Sequence, residues 1–193
     1  MADRSLQIHP IAGALGAEIA GVDLGTDLDD ATIAAIRRAW LDHLVIFFRG
    51  QDLLPKRFLA FARCFGEVVE YPFIKGIETR EDRIRDAARP DAKHEYVAEH
   101  PVVRTHPETG RKALYVNGGH TVRFKDMSEA KSASLLQYLF AHQQRPEFTC
   151  RFRWEVGSLA FWDNRCAQHN PINDYHGFRR VMHRVTLAGD RPR

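Results

Sequence analysis

The sequence predicts an α+β domain in which short strands build a β-sandwich or barrel and three helices pack on its outside. Short apolar or alternating segments typical of strands occur near both ends of the chain, and apolar residues recur at helical spacing in three stretches. Glycine or proline separates most of these segments. A length of 193 residues with 44% hydrophobic content suits one such domain.

The N-terminal part alternates predicted strands and helices. Segments 6–10 and 17–22 are predicted strands around a glycine-bearing turn. A helix is predicted from an aspartate N-cap at 29–30 to about residue 43. The continuous apolar run 44–48 predicts a strand buried on both faces. The proline and the glycine that bound segment 55–66 predict the ends of a second helix.

The middle of the chain is more polar. Segment 79–99 is mostly charged and predicts a solvated helix or a mobile connection. Segments 102–105 and 112–116 flank a turn that ends in glycine, which indicates a hairpin. A third helix is predicted over 128–143, with Ser128 as its N-cap.

The C-terminal third is predicted to consist of strands. Segment 148–154 alternates apolar and mainly cationic residues, and 158–162 forms the next strand. In a strand over 180–187, Arg180 and Arg184 lie on one face, roughly 13 Å apart at about 3.3 Å per residue. The planar guanidinium of arginine suits bidentate binding of a carboxylate or another oxyanion. The pattern leaves open whether this face binds an anion or is simply the exposed polar side of a sheet.

His169 is a second ambiguous residue. It follows a predicted strand and the turn at Asp163 and Asn164. An isolated histidine at such a place is more often a surface or hydrogen-bonded residue than a metal ligand. Its position shortly before two arginines of one strand face favours a functional role.

A series of motifs extends over nearly the whole chain in one order. They are 21–24 (GVDL), 45–51 (VIFFRGQ), 65–67 (FGE), 100–110 (HPVVRTHPETG), 114–117 (LYVN), 162–165 (WDNR), 168–169 (QH), Arg180 and 182–184 (MHR). In this combination they resemble the taurine dioxygenase (TauD/TfdA-type) family of iron(II)- and 2-oxoglutarate-dependent dioxygenases.

The resemblance implies a double-stranded β-helix, or cupin-like jelly roll, with flanking helices. It also implies iron(II) held by two histidines and one carboxylate, 2-oxoglutarate as cosubstrate, and O2 as oxidant. By resemblance His169 is the second histidine ligand of the metal. Arg180 would bind the distal carboxylate of 2-oxoglutarate, and Arg184 the anionic group of the primary substrate.

The implied reaction is hydroxylation of a small anionic organic substrate, with release of succinate and CO2. An alkyl sulfonate such as taurine would yield sulfite and an aldehyde, as in taurine catabolism and sulfur metabolism, and a sulfate ester is equally compatible. Tyr71, Asn117 and His120 are expected to bind the substrate; Tyr71 stands where taurine-cleaving relatives have a histidine. An aryloxyalkanoate-cleaving dioxygenase of the same family is the alternative.

One part of the implied metal site is missing from the sequence. The family's first ligands form a His-x-Asp pair after the Phe65-Gly66 region, and the chain has none there. His106-Pro107-Glu108 is a poor substitute because it lies in the predicted hairpin turn. We therefore expect one domain over 1–193 with an internal gap near 78–79, and an inactive chain as given. The alternative is a metal-free jelly-roll module that binds anions without turnover.

Charge and cysteine content limit the partners. The chain has 28 Lys+Arg against 25 Asp+Glu, a net charge of +3 without a basic block, which argues against nucleic acid as a partner. An arginine-rich nucleic-acid module with aromatic stacking residues is retained as a third interpretation. Three cysteines without metal-site spacing, no apolar leader and no membrane-length apolar run predict a cytoplasmic protein. By resemblance the protein is expected to form a homo-oligomer, a dimer or tetramer.

Overall fold

The computed structural model describes residues 6–70, 97–172 and 174–193. Within these ranges the chain combines helices with one four-stranded sheet and two two-stranded sheets. The elements in chain order are β1 (Gln7–Pro10), β2 (Ala17–Ala20), α1 (Asp30–His43), β3 (Val45–Phe48), α2 (Pro55–Arg63), β4 (Val68–Glu70), β5 (Val103–Thr105), β6 (Lys112–Leu114), α3 (Glu129–Gln143), a 3₁₀ turn (Pro146–Phe148), β7 (Leu159–Trp162) and β8 (Thr186–Leu187). The α+β prediction is confirmed at this level.

Helix α1 has the predicted start and a sharp end. The Asp29 carboxylate accepts a hydrogen bond of 2.7 Å from the amide of Thr32, which caps the first turn. Leu44 has a left-handed φ of 66°, and its amide donates to the Trp40 carbonyl at 2.8 Å. This reversal leads the chain directly into β3.

Strand β3 is the centre of the largest sheet, whose order is β1-β2-β3-β7. It pairs in parallel with β2 and antiparallel with β7, and all four of its residues are buried. A strand with covered faces needs a continuous apolar run, so the prediction of a doubly buried strand here is confirmed.

Helices α1 and α2 cover this sheet with an aromatic core. Trp40 stacks on Phe161 with ring centroids 4.4 Å apart, and Phe61 and Phe65 meet Phe161 edge-on. Phe48 on β3 is completely buried against Phe61. The apolar positions of two predicted helices and three predicted strands therefore meet in one core.

The hairpin and the third helix also agree with prediction. Strands β5 and β6 pair antiparallel, and Gly110 in their turn has a φ of 69°, which favours glycine. The Ser128 side chain caps α3 by accepting from the amide of Lys131. The C-terminal tail lies along this hairpin, because the Thr105 amide donates to the Arg193 carbonyl and buried Arg104 pairs with Asp190.

Two predicted strands are wrong over most of their length. Segment 148–154 forms no ladder, although Phe152 faces inward and stacks on Phe47 at 4.0 Å. Of 180–187, only Thr186–Leu187 is a strand, paired with β4, so no strand face unites Arg180 and Arg184. Apolar alternation gives a segment its inward face, but a ladder also requires a neighbouring strand. Among the described residues, no strand pairs with 148–154 or with 180–185.

The charged segment predicted as a solvated helix or connection lies, up to residue 96, outside the described residues. None of the helices in the described part of the chain is both long and apolar enough to cross a membrane.

Candidate functional site

The site is built where β7 ends, next to the start of β3. Asp163 directly follows β7, and its amide donates to the Leu44 carbonyl at 3.0 Å. The Asp163 carbonyl then accepts from the amides of Cys166 and Ala167, which closes a tight turn. Because Trp162 pairs with Val45 across the sheet, this turn has a fixed position relative to the core.

The Asp163 carboxylate is buried and fully engaged. Its residue is 3% exposed. The Arg165 guanidinium donates to both oxygens, from Nε to Oδ1 at 2.8 Å and from Nη2 to Oδ2 at 2.7 Å. His106 Nε2 lies 2.9 Å from Oδ2. A bidentate, charge-assisted pair of this kind fixes both side chains.

The hydrogen bonds of His106 determine its tautomer. His106 is 3% exposed, and its Nδ1 accepts from the amides of Glu108 and Thr109, each at 3.2 Å. An accepting Nδ1 carries no proton, so in a neutral ring the proton is on Nε2. His106 therefore donates from Nε2 to Asp163 and joins the β5–β6 hairpin to the end of β7.

Glu108 extends the network to helix α1. Arg165 Nη1 donates to Oε1 at 2.8 Å, and Arg37 Nη2 donates to Oε2 at 2.6 Å. We call His106, Glu108, Asp163, Arg165 and Arg37 the buried ion network, after its two buried members, His106 and Asp163; Glu108 is exposed, and Arg37 and Arg165 are partly exposed. It connects α1, the hairpin and the turn after β7, three segments far apart in the sequence.

The electrostatics of the network follow from burial and pairing. Burial alone would raise the pKa of Asp163, but hydrogen bonds from Arg165 and His106 outweigh burial and hold this pKa below its usual value. Burial also acts to raise the pKa of Glu108, but the hydrogen bonds from Arg165 and Arg37 outweigh burial, so this pKa is lowered as well. The hydrogen bonds to Asp163 and Glu108 raise the pKa of Arg165. The network is therefore charged and internally neutralised.

The same region contains a group of potential metal ligands that does not suit a metal. Ligand atoms of His106, Asp163 and Cys166 lie within 4.8 Å of one another. Asp163 already balances Arg165, and the His106 nitrogen facing it bears a proton. Burial, and then the charge of Asp163, raises the pKa of the Cys166 thiol to about 11, so this group is not a thiolate at neutral pH. The network thus has a structural role.

The predicted ligand His169 follows the same turn. Its ring lies against that of Trp162, with centroids 5.0 Å apart, and the residue is exposed. The preceding Gln168 donates to the Gln143 side chain at 3.0 Å and to the Val116 carbonyl. Asn117 Nδ2 donates to Gln168 Oε1 at 3.1 Å. Asn117 is therefore brought next to the segment that carries His169.

The remaining predicted site residues lie at the surface or outside the described part of the chain. Arg180 and Arg184 are exposed, and the Arg180 guanidinium lies over the Tyr175 ring at 5.2 Å. His120 is exposed, and its amide donates to the Asn117 carbonyl at 3.1 Å. Tyr71 lies outside the described residues.

The sequence interpretation missed the buried ion network. A signal was present, since Asp163 directly follows the predicted strand 158–162 and Arg165 stands two residues later. A carboxylate that is buried at the end of a strand requires a partner of opposite charge or a hydrogen-bond donor. His106 could not be identified as that partner from spacing, because it lies 57 residues away.

Comparisons with known proteins agree on one family. The profile described as "Taurine catabolism dioxygenase TauD, TfdA family" matches two stretches, residues 7–83 and 74–186. An alpha-ketoglutarate-dependent sulfate ester dioxygenase of Pseudomonas putida is 34% identical, with 97% of this chain and 91% of the relative covered. An alkylsulfatase of Acinetobacter baylyi is 27% identical, with 97% and 86% covered.

A solved structure is similar over the same extent. The crystal structure of a taurine dioxygenase from Burkholderia xenovorans superposes with a TM-score of 0.79 at 29% identity, and the match covers 97% of this chain and 91% of that chain. The profile match and the sulfate ester dioxygenase together show that the chain belongs to the TauD/TfdA family of dioxygenases.

Proposed function

We propose that this chain is part of an iron(II)- and 2-oxoglutarate-dependent dioxygenase with a jelly-roll fold that oxidises small anionic substrates, preferentially alkyl sulfate esters. The observation that carries the proposal is the match over 97% of the chain to a sulfate ester dioxygenase and to an alkylsulfatase. The match to a taurine dioxygenase structure supports sulfonates as a related substrate class.

In the proposed reaction, one substrate, R-CH2-O-SO3⁻, one 2-oxoglutarate and one O2 give R-CHO, sulfate, succinate, CO2 and one proton, which comes from the new hydroxyl group when the aldehyde forms. One oxygen atom enters succinate, and the other enters the carbon next to the ester oxygen. The hydroxylated carbon then carries two oxygens, so the bond to the sulfate oxygen breaks and the aldehyde forms. An alkyl sulfonate would lose sulfite in the same manner.

The chain's own residues have limited roles in this proposal. His169 would contribute one imidazole to the metal. Arg180 would bind the distal carboxylate of 2-oxoglutarate, and Arg184 the sulfate group, since a guanidinium suits both anions. Asn117 would hold the segment of His169 through Gln168, for which its 3.1 Å hydrogen bond is the support.

The residues present do not fit a complete iron site. A facial site needs two histidines and a carboxylate around open positions. The chain has one His-x-Asp/Glu pair, His106 and Glu108, and both side chains are engaged in the buried ion network. Catalysis is therefore proposed for a longer form of the chain.

We infer that an internal stretch has been lost near residues 78–79, the position expected from the motifs. The alignment with the sulfate ester dioxygenase spans 275 positions, whereas the chain has 193 residues, so at least 82 positions have no counterpart here. The two profile matches meet at residues 74–83, which supports a gap at that point. "The restored chain" denotes this sequence with the unmatched stretch of the Pseudomonas putida relative inserted between Glu78 and Thr79.

Succinate formation tests the proposed function. The restored chain is incubated with iron(II), 2-oxoglutarate, O2 and a panel of alkyl sulfate esters, alkyl sulfonates including taurine, and aryloxyalkanoates. We expect sulfate esters to stimulate succinate release most, with sulfate as coproduct. Arg180→Ala should abolish the stimulation, whereas the matched control Arg179→Ala should retain it. Stimulation by aryloxyalkanoates alone, or by none of the panel, would refute the substrate class.

A further inference from the structure

Three side-chain amides connect the segment that carries His169 to its surroundings. Asn117 Nδ2 donates to Gln168 Oε1 at 3.1 Å. Gln168 Nε2 in turn donates to Gln143 Oε1 at 3.0 Å and to the Val116 carbonyl. We call Asn117, Gln168 and Gln143 the amide bridge. It joins the loop after β6 to the segment after β7 and to the end of α3.

Backbone groups determine the direction of the amide bridge. Asn117 Oδ1 accepts from the amide of Gly119 at 2.8 Å, so the NH2 group of Asn117 is the end that faces Gln168. At the other end, the Val116 carbonyl can only accept, so the NH2 group of Gln168 faces it. Gln143 completes the bridge as an acceptor. Each of the three amides therefore has a defined orientation.

The Asn117 end of the bridge is a tight turn over residues 117–121. The Asn117 carbonyl accepts from the amides of His120 and Thr121 at 3.1 and 2.8 Å. The Asn117 amide donates to Thr121 Oγ1 at 2.9 Å. These bonds fix the internal shape of the turn, and the side chain of His120 is exposed on it. The amide bridge connects this turn to Gln168, which lies 51 residues further along the chain.

Position 168 needs a donor and an acceptor in one side chain. Val116 is 2% exposed, and a buried carbonyl requires a hydrogen-bond partner, which Gln168 supplies. The oxygen of the same amide accepts from Asn117. A carboxylate at position 168 would place oxygen atoms against the Val116 carbonyl and Gln143 Oε1, with acceptor facing acceptor.

We propose that Gln168 is a positioning residue of the substrate site, which holds the 117–121 turn and its His120 beside the segment of His169. The inference rests on the proposed function and on the predicted contact of Asn117 and His120 with the substrate. It adds the residue that keeps this turn in place and the direction of the hydrogen bonds by which it does so. Gln168 itself touches no substrate in this proposal and acts through the turn.

Gln168→Glu tests the proposal, because it keeps the size of the side chain and removes its donor. Hydrogen exchange is measured by NMR in the 193-residue chain. The amides of Gly119, His120 and Thr121 should exchange roughly fivefold faster, or faster still, in this variant. Amides of β3 should be equally protected and report that the core is folded. Gln143→Glu keeps an acceptor, so the turn should exchange nearly as in the unmodified chain.

Kinetics of the restored chain with hexyl sulfate give a second readout. Gln168→Glu should raise the KM for hexyl sulfate roughly fivefold to tenfold, while kcat and the affinity for 2-oxoglutarate change less than about twofold. A general loss of structure would instead change all three quantities. Gln137→Glu is the matched control, since it makes the same substitution at an exposed position of α3 outside the amide bridge, and it should change neither KM nor kcat.

Several outcomes would overturn the proposal. Equal exchange of the turn amides in Gln168→Glu and the unmodified chain would show that Gln168 does not hold the turn. Faster exchange with an unchanged KM would limit Gln168 to a structural role. Exchange in Gln143→Glu as fast as in Gln168→Glu would contradict the direction of the bridge. If the unmodified restored chain turns over no substrate, the proposed function and the substrate role of the turn both fail, whereas the exchange rates still decide whether Gln168 holds the turn.

Discussion

The buried ion network makes a quantitative prediction for Asp163→Ala. The substitution removes the carboxylate that both Arg165 and His106 contact, whose side chains are 17% and 3% exposed. The guanidinium loses its bidentate partner, although Glu108 still accepts from Nη1, and the His106 Nε2 proton loses its acceptor. Breaking a fully buried pair costs about 3–5 kcal/mol, because a charge is left without compensation. Since Glu108 still pairs with Arg165, we expect a cost toward the lower end of this range.

Urea unfolding measures this cost. With a slope of roughly 2 kcal/mol per M, a loss of that size lowers the midpoint by about 2 M. Total stabilities of domains are only about 5–15 kcal/mol, so the variant should be markedly less stable. Asp163→Asn should be less harmful, since its amide oxygen still accepts from His106 while the charge is lost.

Asp27→Ala is the matched control. Asp27 is also paired with an arginine, Arg57, but its side chain is 93% exposed. Exposed pairs contribute about 0–1 kcal/mol, so this variant should unfold almost like the unmodified chain. If Asp163→Ala and Asp27→Ala have the same midpoint, the assignment of a stabilising role to the network is refuted.

Four further predictions concern pH, the core, a cap and the C-terminal arginines. The pKa values of Asp163 and Glu108 are lowered in the folded state. The stabilisation by these carboxylates is therefore fully present above their unfolded-state pKa values, about 3.9 and 4.3, and is lost as pH falls through the folded-state values. Asp163→Asn should weaken the decrease of the unfolding free energy at acidic pH, and an unchanged decrease would contradict the pairing. Ile46→Ala empties a completely buried position in β3 and should cost about 2–5 kcal/mol in thermal or urea unfolding, whereas a cost under about 1 kcal/mol would show that the site is not close-packed. Ser128→Ala removes the cap of α3 and should cost about 1 kcal/mol, with Ser134→Ala on the exposed face of the same helix as the control; equal effects would show that the cap has no role. In the restored chain, Arg184→Ala should raise the KM for sulfate esters with little change in the affinity for 2-oxoglutarate, and the reverse pattern would exchange the roles of Arg184 and Arg180.

The sequence predicted the three helices and β3 well because their signals are local. Asp29, Pro55 and Ser128 mark helix starts through backbone geometry and capping, which depend on a few neighbouring residues. The apolar run of β3 identifies a strand covered on both faces, whatever its neighbours are.

The C-terminal third was predicted less well because strand pairing is not local. Segments 148–154 and 180–187 have strand periodicity, but a ladder forms only for Thr186–Leu187, next to β4. The roles of His169, Arg180 and Arg184 rest on motif resemblance and stay predictions. The partner of Asp163 was not predictable either, because chain folding alone brings His106 beside it.

Metal-dependent binding of 2-oxoglutarate tests the proposed metal site most directly, measured by calorimetry without O2 and with Mn(II) in place of iron. We expect the restored chain to bind 2-oxoglutarate only with the metal, and His169→Ala in that chain to lose this binding. The 193-residue chain without the inserted stretch should bind neither the metal nor 2-oxoglutarate tightly. Equal metal-dependent binding by the chain as given, or by the His169→Ala variant, would contradict the claim that His169 is one ligand of a site whose other ligands belong to the missing stretch.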